Sequence, residues 1–181
     1  DIELLALDSD PLRLQRVQHT LDRLGLPAAG SAVRLQTADA RDVAGWWDGR
    51  RFDAILLDAP CTASGIVRRH PDVRWLRRPA DVDALAAIQR QLLDALWPLL
   101  APGGRLLYAT CSLFRAEGVH QIDAFLQRHA ATQPRLVPAS PGHLPGVPDN
   151  PASQPAGTAG AGAHAAGPAG DGFFYALIQQ P

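Results

Sequence analysis

The sequence has 181 residues, of which 46% are hydrophobic, so it can build one domain with a hydrophobic core. No apolar run approaches the roughly 18 residues that a bilayer-spanning helix needs, and a membrane protein is therefore not expected. The net charge is −1, which counts against a uniformly basic surface for nucleic acid. All seventeen basic residues are arginine.

The first half of the sequence alternates apolar runs with one amphipathic segment. Each run is followed by an aspartate, and such runs are typical of buried parallel strands. Between the first two runs, Asp10 and Pro11 are typical of a helix start, and Gly25 is typical of a helix end. The predicted strands span 3–7, 33–37 and 52–57, and the acidic residues after them are Asp8, Asp39 and Asp58.

The second half continues this alternation. Helices are predicted over 81–100 and 116–128, where apolar residues recur at helical spacing. The turn at 102–104 leads into a strand at 105–109, and a last strand is predicted at 173–178, of the kind that returns to a sheet edge. Strands alternating with helices predict the α/β class, a Rossmann-like fold with a mostly parallel sheet and helices on both faces.

Composition divides the chain into three segments. Residues 1–137 form the core of the predicted domain, and residues 171–181 supply its final strand. Between them, residues 138–170 are rich in Ala, Gly and Pro, which predicts a flexible surface insertion. The chain contains no Met and opens inside a predicted strand, so we expect it to be a piece of a longer protein.

Two strand ends carry the two cysteines of the chain. Cys61 follows the third predicted strand and Cys111 follows the fourth, fifty positions later, a spacing that predicts neither a metal site nor a disulfide framework. If consecutive strands are neighbours, both thiols face one crevice at the carboxyl ends of the strands, where α/β sheets bind ligands. A thiolate there can add to an electron-poor ring carbon. The alternative is that each cysteine is a small buried hydrophobic residue.

The sequences around these cysteines are distinctive. Asp58-Ala-Pro-Cys61-Thr-Ala-Ser-Gly-Ile-Val-Arg-Arg-His-Pro-Asp72 and Tyr108-Ala-Thr-Cys111-Ser112 resemble motifs of the RNA 5-methylcytosine methyltransferases, and among them the bacterial Sun-type (RsmB) enzymes of 16S ribosomal RNA. The resemblance runs from Glu3 to about Arg128 and resumes at Asp171-Gly-Phe-Phe-Tyr175. It implies the S-adenosylmethionine-dependent methyltransferase form of the Rossmann-like fold.

The resemblance also implies a role for each motif residue. Cys111 attacks C6 of a cytosine, Cys61 helps to resolve the covalent adduct, and Asp58 contacts the base once it is flipped out of its stack. Asp8 and Asp39 hold the ribose and adenine of S-adenosylmethionine, with Asp58 also on the cofactor side. The implied reaction is methylation of C5 of a cytosine in RNA, most directly in 16S ribosomal RNA.

Three features depart from the family's pattern. The family's N-terminal RNA-binding domain and glycine-rich cofactor loop are not in the chain, which we expect to open at the second strand of the fold. After the Thr-Cys-Ser motif, the usual acidic pair and Asn are replaced by Arg115-Ala-Glu-Gly118. The segment 138–170 is unlike the family's compact connection. We therefore expect this chain by itself to bind cofactor poorly or not at all.

A cluster of five arginines follows the Pro-Cys motif. Its position beside the proposed site predicts contacts with RNA phosphates. The alternative is a solvated loop, and we expect Trp75 within it to pack into the core. The predicted RNA-binding residues are Arg68, Arg69, Arg74, Arg77 and Arg78.

Two other functions fit parts of the sequence. A non-catalytic RNA-binding or assembly module would keep the fold without the reaction. A nicotinamide-dependent dehydrogenase would also use Asp8 on a ribose, but it leaves both cysteine motifs unexplained. We expect a cytoplasmic monomer without a metal site, since the histidines show no ligand spacing.

Overall fold

The computed structural model describes residues 2–26, 32–144 and 171–181. The chain divides into two compact units, residues 1–51 and residues 52–181. The first unit contains strand β1 (Glu3–Asp8), helix α1 (Pro11–Leu24) and strand β2 (Ala32–Thr37). The second contains β3 (Phe52–Asp58), α2 (Val73–Leu76), α3 (Pro79–Leu96), β4 (Leu100–Thr110), α4 (Val119–Arg128), β5 (Arg135–Leu136), β6 (Gly142–Leu144) and β7 (Phe173–Gln179).

The first unit is a strand–helix–strand unit with a parallel pair. β1 and β2 are paired in register along their whole length. The side chain of Asp10 caps α1 by accepting a hydrogen bond from the Leu12 amide at 2.9 Å, and Pro11 occupies the first turn. Gly25 ends the helix in the left-handed conformation, with φ +66°. The predicted strands and helix of this unit are confirmed.

The second unit contains a mixed sheet. Its strands lie in the order β3-β4-β7-β5, and β6 also pairs with β7. β3 and β4 are parallel, whereas β7 runs antiparallel to β4, β5 and β6. The prediction that the last strand returns to a sheet edge is wrong. β7 lies inside the sheet, because it pairs with β4 on one side and with the short strands β5 and β6 on the other.

The core of the second unit lies between its sheet and its two longer helices. Trp97 and Phe125 meet edge to face with ring centroids 5.4 Å apart, and Tyr108 and Phe174 pair in the same way at 6.1 Å. All four side chains are buried. Each large apolar side chain buried in this way contributes roughly 1.5–3 kcal/mol. The α/β class is confirmed, with a central sheet and packed helices.

Both predicted helices of the second unit differ from the observed ones at an end. The segment predicted as helix 81–100 forms α3 and then a 3₁₀ turn, Trp97–Leu99, because Pro98 has no amide hydrogen with which to continue an α-helix. The segment predicted at 116–128 opens with a 3₁₀ turn, Arg115–Glu117, before α4 begins. This second turn places Glu117 in the candidate site.

The first residues of the segment predicted as a flexible insertion, 138–170, are bonded to the sheet. Gly142–Leu144 form β6 and pair with β7, and the Ser140 hydroxyl accepts a hydrogen bond from the Leu177 amide at 3.0 Å. Strand pairing therefore already holds residues that composition had assigned to the insertion. Residues 145–170 lie outside the described residues.

Membrane-spanning and metal-binding features were also sought in the described residues. None of the helices found there combines the length and apolar character that crossing a bilayer requires. Across 2–26, 32–144 and 171–181, no group of three or more His, Cys, Asp and Glu side chains is arranged to hold a metal ion.

Candidate active site

The carboxyl ends of β3 and β4 bring the two cysteines together. The strands are parallel neighbours with Asp58 opposite Ala109, so the segments that follow them leave the sheet at the same edge. The Ala59 amide donates to the Ala109 carbonyl at 2.9 Å, which extends the pairing past the strand end. The sulfur atoms of Cys61 and Cys111 lie 3.4 Å apart, and both residues are partly buried. The predicted proximity of the two thiols is confirmed.

The two thiols differ in acidity. A hydrogen bond from the Cys61 thiol stabilises the Cys111 thiolate and lowers the pKa of Cys111 to about 7, although burial and the charge of Asp58 oppose this effect. The same hydrogen bond, together with burial, raises the pKa of Cys61 well above its ordinary value. Cys111 therefore ionises first, and the thiolate is the nucleophilic form of cysteine.

A buried carboxylate lies behind both cysteine loops. Glu117 has no exposed surface. Its Oε1 accepts hydrogen bonds from the Thr62 amide at 2.9 Å and from Gln89 Nε2 at 3.2 Å. Its Oε2 accepts hydrogen bonds from the hydroxyls of Thr62 and Ser112, both at 2.6 Å. Because Thr62 and Ser112 are the residues that follow the two cysteines, one side chain is bonded to both loops.

Gly65 allows a third segment to reach the cysteine loops. Its amide donates to the Cys111 carbonyl at 2.9 Å, and its carbonyl accepts from the Gly172 amide at 2.7 Å. A Cβ atom at Gly65 would lie 1.9 Å from the Gly172 carbonyl oxygen, so only glycine fits. Next to this contact, Asp171 forms an ion pair with Arg69. The segment before β7 is thus bonded to the Pro-Cys loop.

Arg77 and Arg69, both predicted to bind RNA, are bonded to segments close to the cysteines. Arg77 Nε donates to the Thr62 carbonyl at 2.9 Å, and Arg69 is paired with Asp171. Arg74 instead lies over the ring of Trp75, 5.1 Å from its centroid. The Trp75 side chain is 78% exposed, so the expectation that it packs into the core is wrong. It lies on the four-residue helix α2, and its exposed ring covers no part of the core.

A cavity of about 480 Å³ adjoins the cysteine loops. Ser64, which bonds to the Ser112 hydroxyl at 3.1 Å, is part of its wall. The other lining residues include the basic Arg74, Arg77 and Arg78 and the apolar Val67, Val73, Val82 and Phe114. Positive charge and apolar surface therefore meet in one concave region next to the Pro-Cys loop.

The two predicted cofactor aspartates belong to the first unit. Asp8 closes β1, and its Oδ1 accepts a hydrogen bond from the Asp10 amide at 2.8 Å. Asp39 follows β2, and both of its carboxylate oxygens bond to the Arg41 guanidinium, which lowers the pKa of Asp39. Both carboxylates are partly exposed and are held by residues two positions further along the chain.

The structure brings some predicted site residues together and adds others. Cys61 and Cys111 are in contact, and the charge of Asp58 acts on Cys111. Glu117 was missed, because its segment was interpreted only as a departure from the family's pattern. The signal available in the sequence was that one acidic residue remained there, shortly after a motif cysteine.

The comparison with protein families decides the assignment. A family model described as 16S rRNA methyltransferase RsmB/F matches residues 1–179. The chain belongs to this family. Membership agrees with the resemblance of the two cysteine motifs, and it gives no support to the dehydrogenase alternative.

Individual relatives of the RsmB/F family support this assignment. Ribosomal RNA small subunit methyltransferase B of Xanthomonas campestris pv. campestris is 49% identical over 179 residues, a match that covers 98% of this chain and 37% of the relative. The crystal structure of PH0851 has a TM-score of 0.76 at 30% identity, covering 98% of this chain and 37% of that chain. NSun6 from Pyrococcus horikoshii, solved with SFG, gives 0.69 at 25% identity, covering 98% and 41%. The chain thus spans little more than a third of the length of these proteins.

Proposed function

We propose that the protein containing this chain methylates C5 of a cytosine in RNA, most directly in 16S ribosomal RNA, with S-adenosylmethionine as methyl donor. The observation that carries this proposal is the contact between Cys61 and Cys111, in which one thiol lowers the pKa of the other to about 7. Membership of the RsmB/F family and the name of the Xanthomonas relative support ribosomal RNA as the substrate. This substrate favours a cytoplasmic site of action, and we propose a monomer.

Cys111 is the nucleophile of the proposed reaction. Its thiolate adds to C6 of the cytosine and forms a sulfur–carbon bond, and the electron pair of the C5–C6 double bond moves onto C5, where it is shared with C4 and N3 of the ring. C5 then has the electron density to accept a methyl group, which is the chemistry that bound S-adenosylmethionine supplies. Removal of the C5 proton afterwards restores the double bond and expels the Cys111 sulfur, which leaves as a thiolate.

Cys61 is the residue that helps to release the product. In the free enzyme its pKa is raised chiefly by its hydrogen bond to the Cys111 sulfur. That cause disappears when Cys111 is bound to C6, since a thioether sulfur carries no charge. Cys61 can then lose its proton more readily and accept the C5 proton of the adduct. Asp58, the carboxylate whose charge acts on Cys111, contacts and positions the flipped base.

The aspartates of the first unit fit a nucleoside cofactor unequally. Asp8 uses Oδ1 for the Asp10 amide, and its Oδ2 lies 3.8 Å from Arg13, so acceptor capacity remains for ribose hydroxyls. Asp39 shares both oxygens with Arg41, which keeps it ionised but occupies part of its acceptor capacity. We propose Asp8 for the ribose, Asp39 for the adenine amino group, and Asp58 as a further contact. NSun6 from Pyrococcus horikoshii has a similar structure and was solved with SFG, which supports ligand binding by a protein of this fold.

The arginine cluster is proposed as the RNA contact. Arg69 and Arg77 are bonded to Asp171 and Thr62, and they shape the Pro-Cys loop as well as adding positive charge. Arg74 and Arg78 line the cavity beside the Pro-Cys loop, and Arg68 follows that loop in the sequence, so these three are proposed for phosphates by their position. The cavity lined by Arg74, Arg78 and Phe114 supports this proposal, because phosphates and base faces require cationic and apolar surfaces side by side.

A trapping experiment tests the proposed function. In the full-length protein, Cys61→Ala should accumulate a covalent protein–RNA complex in the presence of S-adenosylmethionine and 16S ribosomal RNA, detected as a band shift under denaturing conditions. The double variant Cys61→Ala/Cys111→Ala is the control and should give no complex. A complex that persists in the double variant would contradict Cys111 as nucleophile. RNA binding without methylation by the unaltered protein would favour the non-catalytic module instead.

A further inference from the structure

Glu117 is a buried acidic residue that the proposed reaction does not use. It has no exposed surface, and the donors to its carboxylate are an amide, two hydroxyls and a side-chain carboxamide. Among the ion pairs found in the described residues, none includes Glu117. Burying a carboxylate without a cation costs several kcal/mol unless hydrogen bonds replace its hydration. Four hydrogen bonds from three segments of the chain replace the hydration of the Glu117 carboxylate.

The hydrogen-bond partners of the Glu117 carboxylate indicate its role. The Oε2 atom accepts hydrogen bonds from the hydroxyls of both Thr62 and Ser112, and the Oε1 atom accepts one from the Thr62 amide. Each of these residues directly follows a cysteine, so a single carboxylate is bonded to both loops. We propose that Glu117 is the positioning residue that holds the Cys61 loop against the Cys111 loop, so that the Cys61 thiol can donate to the Cys111 sulfur. This inference deepens the proposed function and rests on it for its catalytic consequence.

Glu117 is itself held rigidly, as a positioning residue must be. Its backbone carbonyl accepts a hydrogen bond from the buried Tyr108 hydroxyl at 2.9 Å, which fixes the 3₁₀ turn to β4. Gln89 on α3 donates from one Nε2 atom to Glu117 and to the Pro60 carbonyl, the latter at 2.8 Å. The carboxylate is therefore connected to a strand, a helix and both cysteine loops.

Geometry and charge make opposite predictions for this residue. Hydrogen bonding and charge both act on the pKa of Cys111. The hydrogen bond from the Cys61 thiol favours the thiolate, whereas the negative charges of Asp58 and Glu117 oppose it. If Glu117 acts only through its charge, any neutral replacement makes Cys111 more acidic. If Glu117 acts by position, a replacement that cannot bridge the loops makes Cys111 less acidic, because the contact with Cys61 is lost.

Two replacements of Glu117 separate these effects. Glu117→Gln removes the charge but keeps the bridge, since an amide can accept from the Thr62 N–H and donate to the two hydroxyls, which can turn to accept. Glu117→Ala removes both the charge and the bridge. The first readout is the pH dependence of iodoacetamide alkylation at Cys111 in the full-length protein, resolved from Cys61 by peptide mass spectrometry. It requires neither RNA nor cofactor.

The positioning role predicts that the midpoint of Cys111 alkylation changes differently in the two variants. The alkylation midpoint, near pH 7 in the unaltered protein, should rise by about one pH unit in Glu117→Ala and stay or fall slightly in Glu117→Gln. Methylation should show kcat reduced roughly 100-fold in Glu117→Ala with KM for RNA little changed, and Glu117→Gln should restore most of it. A midpoint that falls in both variants would overturn the inference.

Controls keep the test decisive. Gln121 is also buried on α4, but it donates to the Ala86 carbonyl and not to a cysteine loop, so Gln121→Ala should lower stability without moving the midpoint. If Glu117→Ala does not fold, Ser112→Ala removes one arm of the bridge and should raise the midpoint by a smaller amount. An unchanged midpoint in folded Ser112→Ala would then count against the role. If the unaltered protein shows no methylation, the midpoints still decide the positioning role, and only the proposed function fails.

Discussion

The carboxylates of the two units are held in contrasting ways. Asp8 and Asp39 in the first unit are each bonded to a residue two positions along the chain, and they remain partly exposed. Glu117 in the second unit is fully buried, and its partners lie 5, 28 and 55 positions away. The first arrangement is local and open to a ligand, whereas the second ties distant segments together.

This contrast predicts different tolerance to change. A locally held carboxylate can be altered without moving other elements, so its loss should cost only the contacts that it makes itself. A carboxylate shared by several segments fixes the positions of groups that it does not touch. Single substitutions should therefore have large effects around the cysteines and small ones in the first unit.

The largest effect is expected for Cys111→Ala. Methyl transfer should fall at least about 1000-fold, or about 4 kcal/mol in activation free energy, because the sulfur atom proposed to form the bond to C6 is lost. Incorporation of labelled methyl groups into 16S ribosomal RNA by the full-length protein measures it. RNA affinity serves as the control and should not change. Methylation activity near that of the unaltered protein would contradict the role of Cys111 as nucleophile.

The next effect is on stability. Gly65→Ala should lower the free energy of unfolding by about 3 kcal/mol, because the new Cβ atom meets the backbone of Gly172 and of Cys111. Urea denaturation followed by circular dichroism measures the loss. The matched control in the first unit is Gly25→Ala, where the Cβ atom meets no neighbour and only the positive φ costs about 1 kcal/mol. Equal losses of unfolding free energy in the two variants would contradict the expected difference between the two units.

An intermediate effect is expected on the ionisation of Cys111. Alkylation of this thiol should increase as the pH rises through about 7, since a lowered pKa means that the thiolate forms at lower pH. Cys61→Ala removes the donor and should move the midpoint up by about one pH unit, toward an ordinary thiol. Cys61→Ser keeps a hydroxyl donor and should lie between the two. Identical midpoints in all three proteins would show that the sulfur contact does not control acidity.

The smallest effect is expected in the first unit. Asp8→Asn should weaken binding of S-adenosylmethionine to the full-length protein about tenfold, or about 1.4 kcal/mol, because an amide retains one acceptor and loses the charge. Isothermal titration calorimetry measures it, with Asp10→Asn as a control that keeps a helix cap. A loss of global stability in Asp8→Asn comparable to that of Gly65→Ala would contradict the local character of this carboxylate.

The two regions also differ in how far the sequence predicted them. The five predicted strands, the α1 caps and the strand-end positions of Asp8 and Cys61 followed from local patterns and are observed, whereas the short strands β5 and β6 were not predicted. The contact between the cysteines required one assumption, that consecutive strands are neighbours, and β3 and β4 meet it. The role of Glu117 could not be predicted, because three of its hydrogen bonds, two from Thr62 and one from Gln89, depend on how segments distant in sequence pack together. The internal place of β7 was mispredicted for the same reason.

The hydrogen bond between Gly65 and Gly172 has a consequence for biosynthesis. The ribosome adds Gly172 roughly a hundred residues after Gly65, so both cysteines are already made while the Pro-Cys loop still lacks this partner. During that interval the nascent chain contains two thiols whose surroundings are incomplete. We therefore expect the Pro-Cys loop to gain this backbone partner late in synthesis, when the segment that leads into β7 is made.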